Sequence, residues 1–159
     1  MISFPDYHTT IGAEIGAALQ GQRGYGPDVL QLLYIANRYE YAPRIRAWLA
    51  AGQMVVADRY AASSLAYGEA QGLDMAWLAD AQRLLPAGDL TLVLDIAPET
   101  SLQRKRAARD KFERDLPLLS RDGLVRRLTD AGIAGTLNLP ILGEQLYQSA
   151  RWMRVFTAR

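Results

Sequence analysis

Two short apolar runs, each followed directly by an aspartate, constrain the fold of this chain more than any other feature. The runs cover residues 54–57, which lead into Asp58, and residues 90–94, which lead into Asp95. Helical patterns bound both runs, and short apolar runs in that setting are typical of buried parallel strands. The sequence therefore predicts an α/β fold, an open parallel sheet with helices on both faces.

The remaining patterns predict where other elements begin and end. Residues 2–4 resemble the end of a strand, and Thr10 is expected to cap a short helix. A long helix is expected over residues 27–50, with Pro27 in its first turn and Gly52 after its end. Its predicted buried stripe is Val29, Leu30, Leu32, Leu33, Ala36, Ile45, Trp48 and Leu49. A further helix is expected over residues 74–85.

The chain divides by pattern into a domain over residues 1–121 and a tail over residues 122–159. Residues 132–140 resemble a loop, and residues 151–159 have no clear period. A pair of terminal helices is the simplest interpretation of the tail.

Composition excludes several classes of function. The chain has no cysteine and one histidine, His8, which excludes thiol catalysis and cysteine zinc sites and leaves a Ser-His-Asp triad dependent on His8. A formal net charge of +1 gives no sign of a nucleic-acid or membrane partner. No apolar run approaches the ~18 residues of a membrane span, and residues 1–10 lack the features of a signal peptide. We therefore expect a cytoplasmic protein.

The residues that follow each strand are the first candidates for a site, because ligands of open α/β sheets bind beyond the carboxyl ends of the strands. Phe4 to Tyr7, Asp58 to Tyr60, and Asp95 with Glu99 occupy such positions. The Asp58 carboxylate would hold Mg²⁺ or its waters, while the Arg59 guanidinium would bind phosphate oxygens. The alternative is an ion pair that caps the next helix.

A basic segment is the second candidate. Residues 101–121 carry seven basic residues against Asp110, Glu113 and Asp115. A mobile, arginine-rich segment is suited to closing over phosphates, since cations placed on a transferring phosphoryl group are worth about 10³ to 10⁵ in rate. The alternative is a solvated charged helix.

Tyr34 and Arg38 are the third candidate. They lie one helical turn apart, so a base could stack on the ring while the guanidinium meets its edge or its phosphate. The alternative for Tyr34 is core packing.

Four fragments together resemble the thymidylate kinase family. They are F-P-D-Y-x-T-x-x-G from Phe4 to Gly12, N-R at Asn37-Arg38, D-R-Y-x-x-S-S-x-A-Y from Asp58 to Tyr67, and D-K-F-E from Asp110 to Glu113. Their order and spacing match the family over about residues 2–121, whereas the tail is not covered. The resemblance implies a P-loop kinase fold and transfer of the γ-phosphoryl group of Mg-ATP to dTMP, giving dTDP.

The resemblance also implies roles for particular residues. Tyr34 matches the aromatic residue that stacks on thymine, and Arg38 the arginine that reaches the base edge and the monophosphate. Asp58 and Arg59 match the pair at the metal and the transferring phosphate. Tyr67 matches the tyrosine that lies against the sugar, where a ribose 2′-hydroxyl would crowd it. Ser64 stands where some relatives carry Asn. The remaining assignments are Phe4 and Tyr7 in the acceptor pocket and Arg104, Arg106, Arg109, Asp110 and Glu113 in the lid, with Arg106 and Arg109 also catalytic. A homodimer is implied as well.

One departure from the family affects the expected activity. The sequence has no G-x-x-x-x-G-K-[ST], the motif whose backbone amides and lysine hold the phosphates of ATP. In the family this motif follows a strand placed between those that correspond to residues 54–57 and 90–94. Without that strand, two strand edges inside the sheet are expected to be unpaired.

Two interpretations follow from this departure. The first is a thymidylate kinase shortened at its amino terminus and inactive alone. The alternative is a non-catalytic relative that binds a nucleotide or a protein. Accidental resemblance, with RNA bound by the basic segment, is a third.

Overall fold

The computed structural model describes residues 1–95, 136–140 and 152–156. In chain order its elements are β1 (Ile2–Ser3), α1 (Thr10–Leu19), α2 (Pro27–Ala50), β2 (Val55–Asp58), α3 (Ala61–Ala70), α4 (Met75–Ala81), β3 (Leu90–Asp95), β4 (Thr136–Pro140) and β5 (Trp152–Phe156). None of the helices in these ranges has the length and apolar character that a membrane crossing requires. The predicted α/β alternation is therefore present up to β3.

The sheet has five strands in the order β1-β2-β5-β3-β4. The pairs β1-β2 and β3-β4 are parallel, as predicted. Strand β5 lies between them and runs antiparallel to both β2 and β3. The expected pair of unpaired edges is thus wrong, because β5 bonds to both strands. The tail also differs from the expected helix pair and loop, since residues 136–140 and 152–156 are strands.

Local sequence signals explain most helix boundaries. Pro27 starts α2, where its missing amide hydrogen costs nothing, and Gly52 follows the end of α2 with a left-handed φ of 72°. The cap of α1 is Thr9 rather than the predicted Thr10, because the Thr9 hydroxyl accepts from the Gly12 amide at 3.0 Å. Helix α4 ends at Ala81, four residues before the predicted end, and turns follow to Leu85.

Helix α2 packs along the sheet and forms one wall of two apolar clusters. In the first, Ala42 and Ile45 lie against Val55 and Ala57 of β2. In the second, Ile35 contacts residues of α3 and α4, namely Leu65 and Leu78. The predicted stripe on α2 is correct for Leu30 and Ile45 but wrong for Val29 and Leu32, which are 40% and 45% exposed.

The loop between β1 and α1 is fastened to α2 by one side chain. Asn37 is fully buried, and its Oδ1 accepts from the Asp6 amide at 2.9 Å. Its Nδ2 donates to the Thr9 hydroxyl at 2.9 Å and to the Glu40 carboxylate at 2.9 Å. At the start of the loop, the Phe4 amide donates to the Asp58 carbonyl at 3.0 Å, and the Phe4–Pro5 peptide bond is cis. The hydrogen bonds of the loop hold Phe4 beside the carboxyl end of β2.

Candidate functional site

A pocket of about 490 Å³, its open mouth included, lies between α2, α3 and the loop after β1. Its size is within the range of small-molecule sites. The lining residues are Phe4, Pro5, Leu19, Leu30, Gln31, Tyr34, Arg38, Arg59, Ser63, Ser64, Tyr67 and Gln71. The pocket therefore joins aromatic rings, two guanidinium groups and several neutral polar groups.

Helix periodicity explains how α2 and α3 build the two long walls. On α2, Gln31, Tyr34 and Arg38 follow the i, i+3, i+7 spacing that places residues on one face. Two hydrogen bonds join this face to α3 and the residue after it. Arg38 Nη1 donates to Ser64 Oγ at 2.7 Å, and Gln31 Nε2 donates to Gln71 Oε1 at 3.2 Å. The walls are thus held together at both ends of the α2 face.

Arg38 is the most unusual group in the pocket. It is 3% exposed, and burial lowers the pKa of its guanidinium to about 10, so that it stays charged at neutral pH. Its Nη1 also donates to Gln82 Oε1 at 3.1 Å. Its Nε is buried with no hydrogen-bond partner, and no carboxylate among residues 1–92 forms an ion pair with it. A buried cation with only neutral partners is suited to binding an anion.

The carboxyl end of β2 supplies the second charged group. Asp58 ends the strand and is 5% exposed, and Ser3 Oγ donates to its Oδ2 at 3.4 Å. Arg59 follows with a left-handed φ of 62°, a conformation that costs a residue with a side chain roughly 1 kcal/mol. Its guanidinium lies 6.0 Å from the centre of the Tyr67 ring. This backbone conformation directs the chain from β2 into α3 next to the pocket.

The structure brings together most of the residues that the sequence singled out. Six of the predicted substrate-binding residues line the pocket: Phe4, Tyr34, Arg38, Arg59, Ser64 and Tyr67. Tyr7 does not; it is 50% exposed and lines a neighbouring depression with Asp6 and Tyr41. The predicted lid residues Arg104, Arg106, Arg109, Asp110 and Glu113 lie outside the described residues. Among the side chains of residues 1–92, no three histidine or acidic groups cluster in a way that could hold a metal.

Sequence reasoning missed four polar residues at this site, namely Gln31, Ser63, Gln71 and Gln82. Gln31 could have been found, since it lies one turn before Tyr34 on the face that carries Arg38. No sequence pattern links Gln82 to this site, because it follows a different helix and is 44 residues away from Arg38 in the chain.

The fold places the chain in a class, the α/β proteins with a P-loop kinase fold. A solved structure of thymidylate kinase from Candida albicans matches it with a TM-score of 0.66 and 25% identity, over 91% of this chain and 72% of that chain. The family model for thymidylate kinase matches residues 1–120. The chain therefore belongs to the thymidylate kinase family.

Curated relatives agree with this assignment. Thymidylate kinase from Arabidopsis thaliana is 34% identical over 111 residues, which are 70% of this chain and 42% of that protein. Thymidylate kinase from Schizosaccharomyces pombe is 32% identical over 114 residues, or 72% of this chain and 54% of that protein. The chain thus spans about half the length of these relatives.

Proposed function

We propose that the pocket binds dTMP as the phosphate acceptor of a nucleoside monophosphate kinase reaction. In that reaction the γ-phosphoryl group of ATP passes to a phosphate oxygen of dTMP, giving dTDP and ADP. The observation that carries the proposal is Arg38, a buried guanidinium whose hydrogen-bond partners among the described side chains are Ser64 and Gln82, both neutral. Membership of the thymidylate kinase family supports dTMP as the nucleotide.

Each of the predicted substrate-binding residues then has a role. Tyr34 stacks on the base, and Arg38 reaches the base edge and the monophosphate. Arg59, at the end of β2, holds the phosphate at the point of transfer. The sugar lies against Tyr67 and Ser64, Phe4 lines the pocket at the β1 end, and Tyr7 stands at its margin.

The Asp58 carboxylate is the kind of hard oxygen ligand that Mg²⁺ requires. Mg²⁺ keeps several waters and needs only one or two carboxylates together with substrate phosphates, so a single buried carboxylate is compatible with it. When bound with ATP, the ion would neutralise charge on the transferring phosphoryl group. Asp58 would hold it directly or through water.

The basic segment completes the proposed site. Arg104, Arg106, Arg109, Asp110 and Glu113 are proposed to form a lid over the phosphates, with Arg106 and Arg109 contacting the transferring group. A homodimer remains a prediction from the family resemblance.

We further propose that this chain alone does not transfer phosphate. Its sequence lacks G-x-x-x-x-G-K-[ST], and the loss of a single preorganised donor typically costs about 10² to 10³ in rate. A chain that binds dTMP without turnover would act as a binding protein, which is the alternative function.

Titration calorimetry with dTMP tests the acceptor site. We expect Arg38→Ala to weaken binding about 10- to 100-fold, because it removes hydrogen bonds to a charged group. We expect Tyr34→Ala to weaken it by about tenfold through lost stacking. Arg44→Ala is the matched control, since Arg44 is an exposed arginine on the same helix.

Two outcomes would contradict these proposals. Failure of the unchanged chain to bind dTMP, or binding that neither pocket variant affects, would refute the acceptor site. Production of ADP that depends on dTMP by the 159-residue chain would refute the expected lack of turnover.

A further inference from the structure

A groove runs beside β1, next to the nucleotide pocket, with which it shares only Pro5. Its volume is about 1240 Å³, its open mouth included. One wall is formed by β1 and the loop that follows it. The other wall is a face of α2 that carries Tyr41, Arg44 and Trp48 at i, i+3 and i+7, and residues 53–55 complete the lining.

The groove contains exposed apolar side chains. Met54 is 67% exposed and Tyr7 is 50% exposed, and both line the groove together with Trp48, which is partly buried. Single apolar residues on a surface are common, but several of them in one concave surface are typical of an interaction site.

The backbone of β1 determines the shape of the partner that the groove can bind. Strand β1 is the first in the sheet order, so no described strand lies on its other side. The Phe4 amide donates to the Asp58 carbonyl on β2. Because successive residues of a strand point their backbone groups in opposite directions, the amide and carbonyl of Ser3 face the open edge. An open edge of this kind pairs with an extended segment.

Arg44 determines the charge that the groove can bind. Its guanidinium lies 5.3 Å from the centre of the Tyr41 ring and 5.0 Å from that of the Trp48 ring, and both contacts hold it in place. It forms no ion pair with any carboxylate among the described side chains. Asp6 accepts instead from the Tyr41 hydroxyl and the His8 amide, and Arg44 acts on it only at longer range. The guanidinium is therefore open to an acidic side chain.

From these features we propose that the groove binds an extended segment of another polypeptide, which adds to the edge of β1 as a strand and places a carboxylate on Arg44. The strand edge selects an extended backbone, and Met54 and Trp48 select apolar side chains on the residues that face them. Strand β1 has two residues, so its main chain offers few hydrogen bonds and the side chains of the groove supply the rest of the affinity. This proposal does not rest on nucleotide binding.

Fluorescence anisotropy of two labelled peptides tests the proposal. Both are about ten residues long, at the upper end of ordinary strand lengths, and alternate valine with threonine. The central residue is glutamate in one peptide and glutamine in the other. We expect both to bind the unchanged chain, the glutamate peptide about fivefold more tightly, as is usual for a favourable exposed ion pair.

Two variants at exposed residues test the two kinds of contact. Arg44→Gln should remove the preference for the glutamate peptide, and Arg83→Gln, which makes the same change of charge at an exposed arginine outside the groove, should keep it. Met54→Ser should weaken both peptides about fivefold through lost apolar contact. Leu84→Ser is its control, because Leu84 is 60% exposed and lies outside the groove.

Hydrogen exchange locates the bound peptide on the unchanged chain. We expect the glutamate peptide to slow exchange of the Ser3 amide, whereas protection of β4 alone, the other edge of the described sheet, would overturn the proposal. Absence of binding, or equal affinities of the unchanged chain for the two peptides, would also overturn it. So would a dimer of the unchanged chain that Arg44→Gln and Met54→Ser dissociate, because the occupant would then be a second copy.

Discussion

The burial of Arg38 has an energetic cost that a ligand would offset. A pKa lowered to about 10 by burial corresponds to a loss of solvation on the order of a few kcal/mol in the folded chain. The hydroxyl of Ser64 and the amide oxygen of Gln82 recover part of this. A phosphate group bound to Arg38 would recover more, because its hydrogen bonds to the guanidinium are charge-assisted.

Asp6 illustrates the opposite case, a charged form that the fold stabilises. The Tyr41 hydroxyl and the His8 amide donate to the carboxylate, and these bonds lower the pKa of Asp6 below its ordinary value of 3.8. Because the folded pKa is the lower one, the stabilisation is complete above about pH 5 and is lost as the pH falls through the folded pKa. The loop before α1 is therefore expected to be acid-sensitive.

Tyr41→Phe should remove the larger of these two contributions. The ring keeps its edge contact with Phe4, so the loss is confined to the hydrogen bond. We expect the pKa of Asp6 to rise towards 3.8 and the free energy of unfolding at pH 7 to fall by about 1 kcal/mol. The checks are titration of the Asp6 carboxyl by nuclear magnetic resonance and urea unfolding at pH 7.

Tyr25→Phe is the control for that experiment. Its hydroxyl makes a comparable bond to Glu14 at 2.6 Å, away from Asp6. An unchanged Asp6 pKa in Tyr41→Phe, or an equal change in Tyr25→Phe, would show that the Tyr41 bond does not control this carboxyl.

At the scale of elements, the contact between α1 and the preceding loop depends on Gly12. A Cβ atom at this position would overlap the carbonyl oxygen of Asp6, which is a backbone atom and has no rotamer to move to. Gly16, one turn later, has room, since its Cβ would lie 3.4 Å from the Tyr7 ring. The first glycine is required by packing and the second is not.

We therefore expect Gly12→Ala and Gly16→Ala to change stability in different directions. Gly12→Ala should lower the free energy of unfolding by about 2 kcal/mol or more, because the loop must shift. Gly16→Ala should be neutral or should raise it by up to about 1 kcal/mol, because alanine favours the helix. Urea unfolding of both variants measures the difference, and equal stabilities would contradict it.

The elements predicted well are those with a local signal. Helix α2 has Pro27 at its start and Gly52 after its end, and β2 and β3 are apolar runs that end in aspartate. The exposure of Val29 and Leu32 was not predictable, since it depends on which face of α2 meets the sheet. The early end of α4 also has no local signal, because residues up to Leu85 keep a helical pattern.

At the scale of the whole molecule, the arrangement of the sheet depends on how the strands pair and not on the local sequence pattern. Strand β5 was not predicted, since its place and direction depend on β2 and β3, which lie more than 50 residues earlier. The pocket was predicted in outline, because Tyr34, Arg38, Arg59 and Tyr67 carry recognisable chemistry. Its glutamines were not, because glutamine is common on surfaces and only the fold shows which glutamine is buried.

The central position of β5 makes it sensitive to proline. Val155 pairs with Val56 on one side and with Leu90 on the other. Val155→Pro removes a ladder hydrogen bond inside the sheet, where proline is not tolerated, so we expect a loss of about 3 kcal/mol or more. Thermal unfolding measures it, with Gly24→Pro in the loop between α1 and α2 as control. Equal melting temperatures in the two variants would contradict the placement of β5.

The position of β5 also determines when the described strands of the sheet can pair during synthesis. Among the described strands, β1-β2 and β3-β4 are joined only through residues 152–156. The ribosome makes those residues after the other described strands, so a nascent chain has open edges on β2 and β3 until residues 152–156 emerge. Open edges pair readily with other chains. Slow translation between the codons of β3 and β5, or crowding of nascent chains on one messenger RNA, would therefore promote aggregation, and a holdase chaperone would be most useful before residues 152–156 are made.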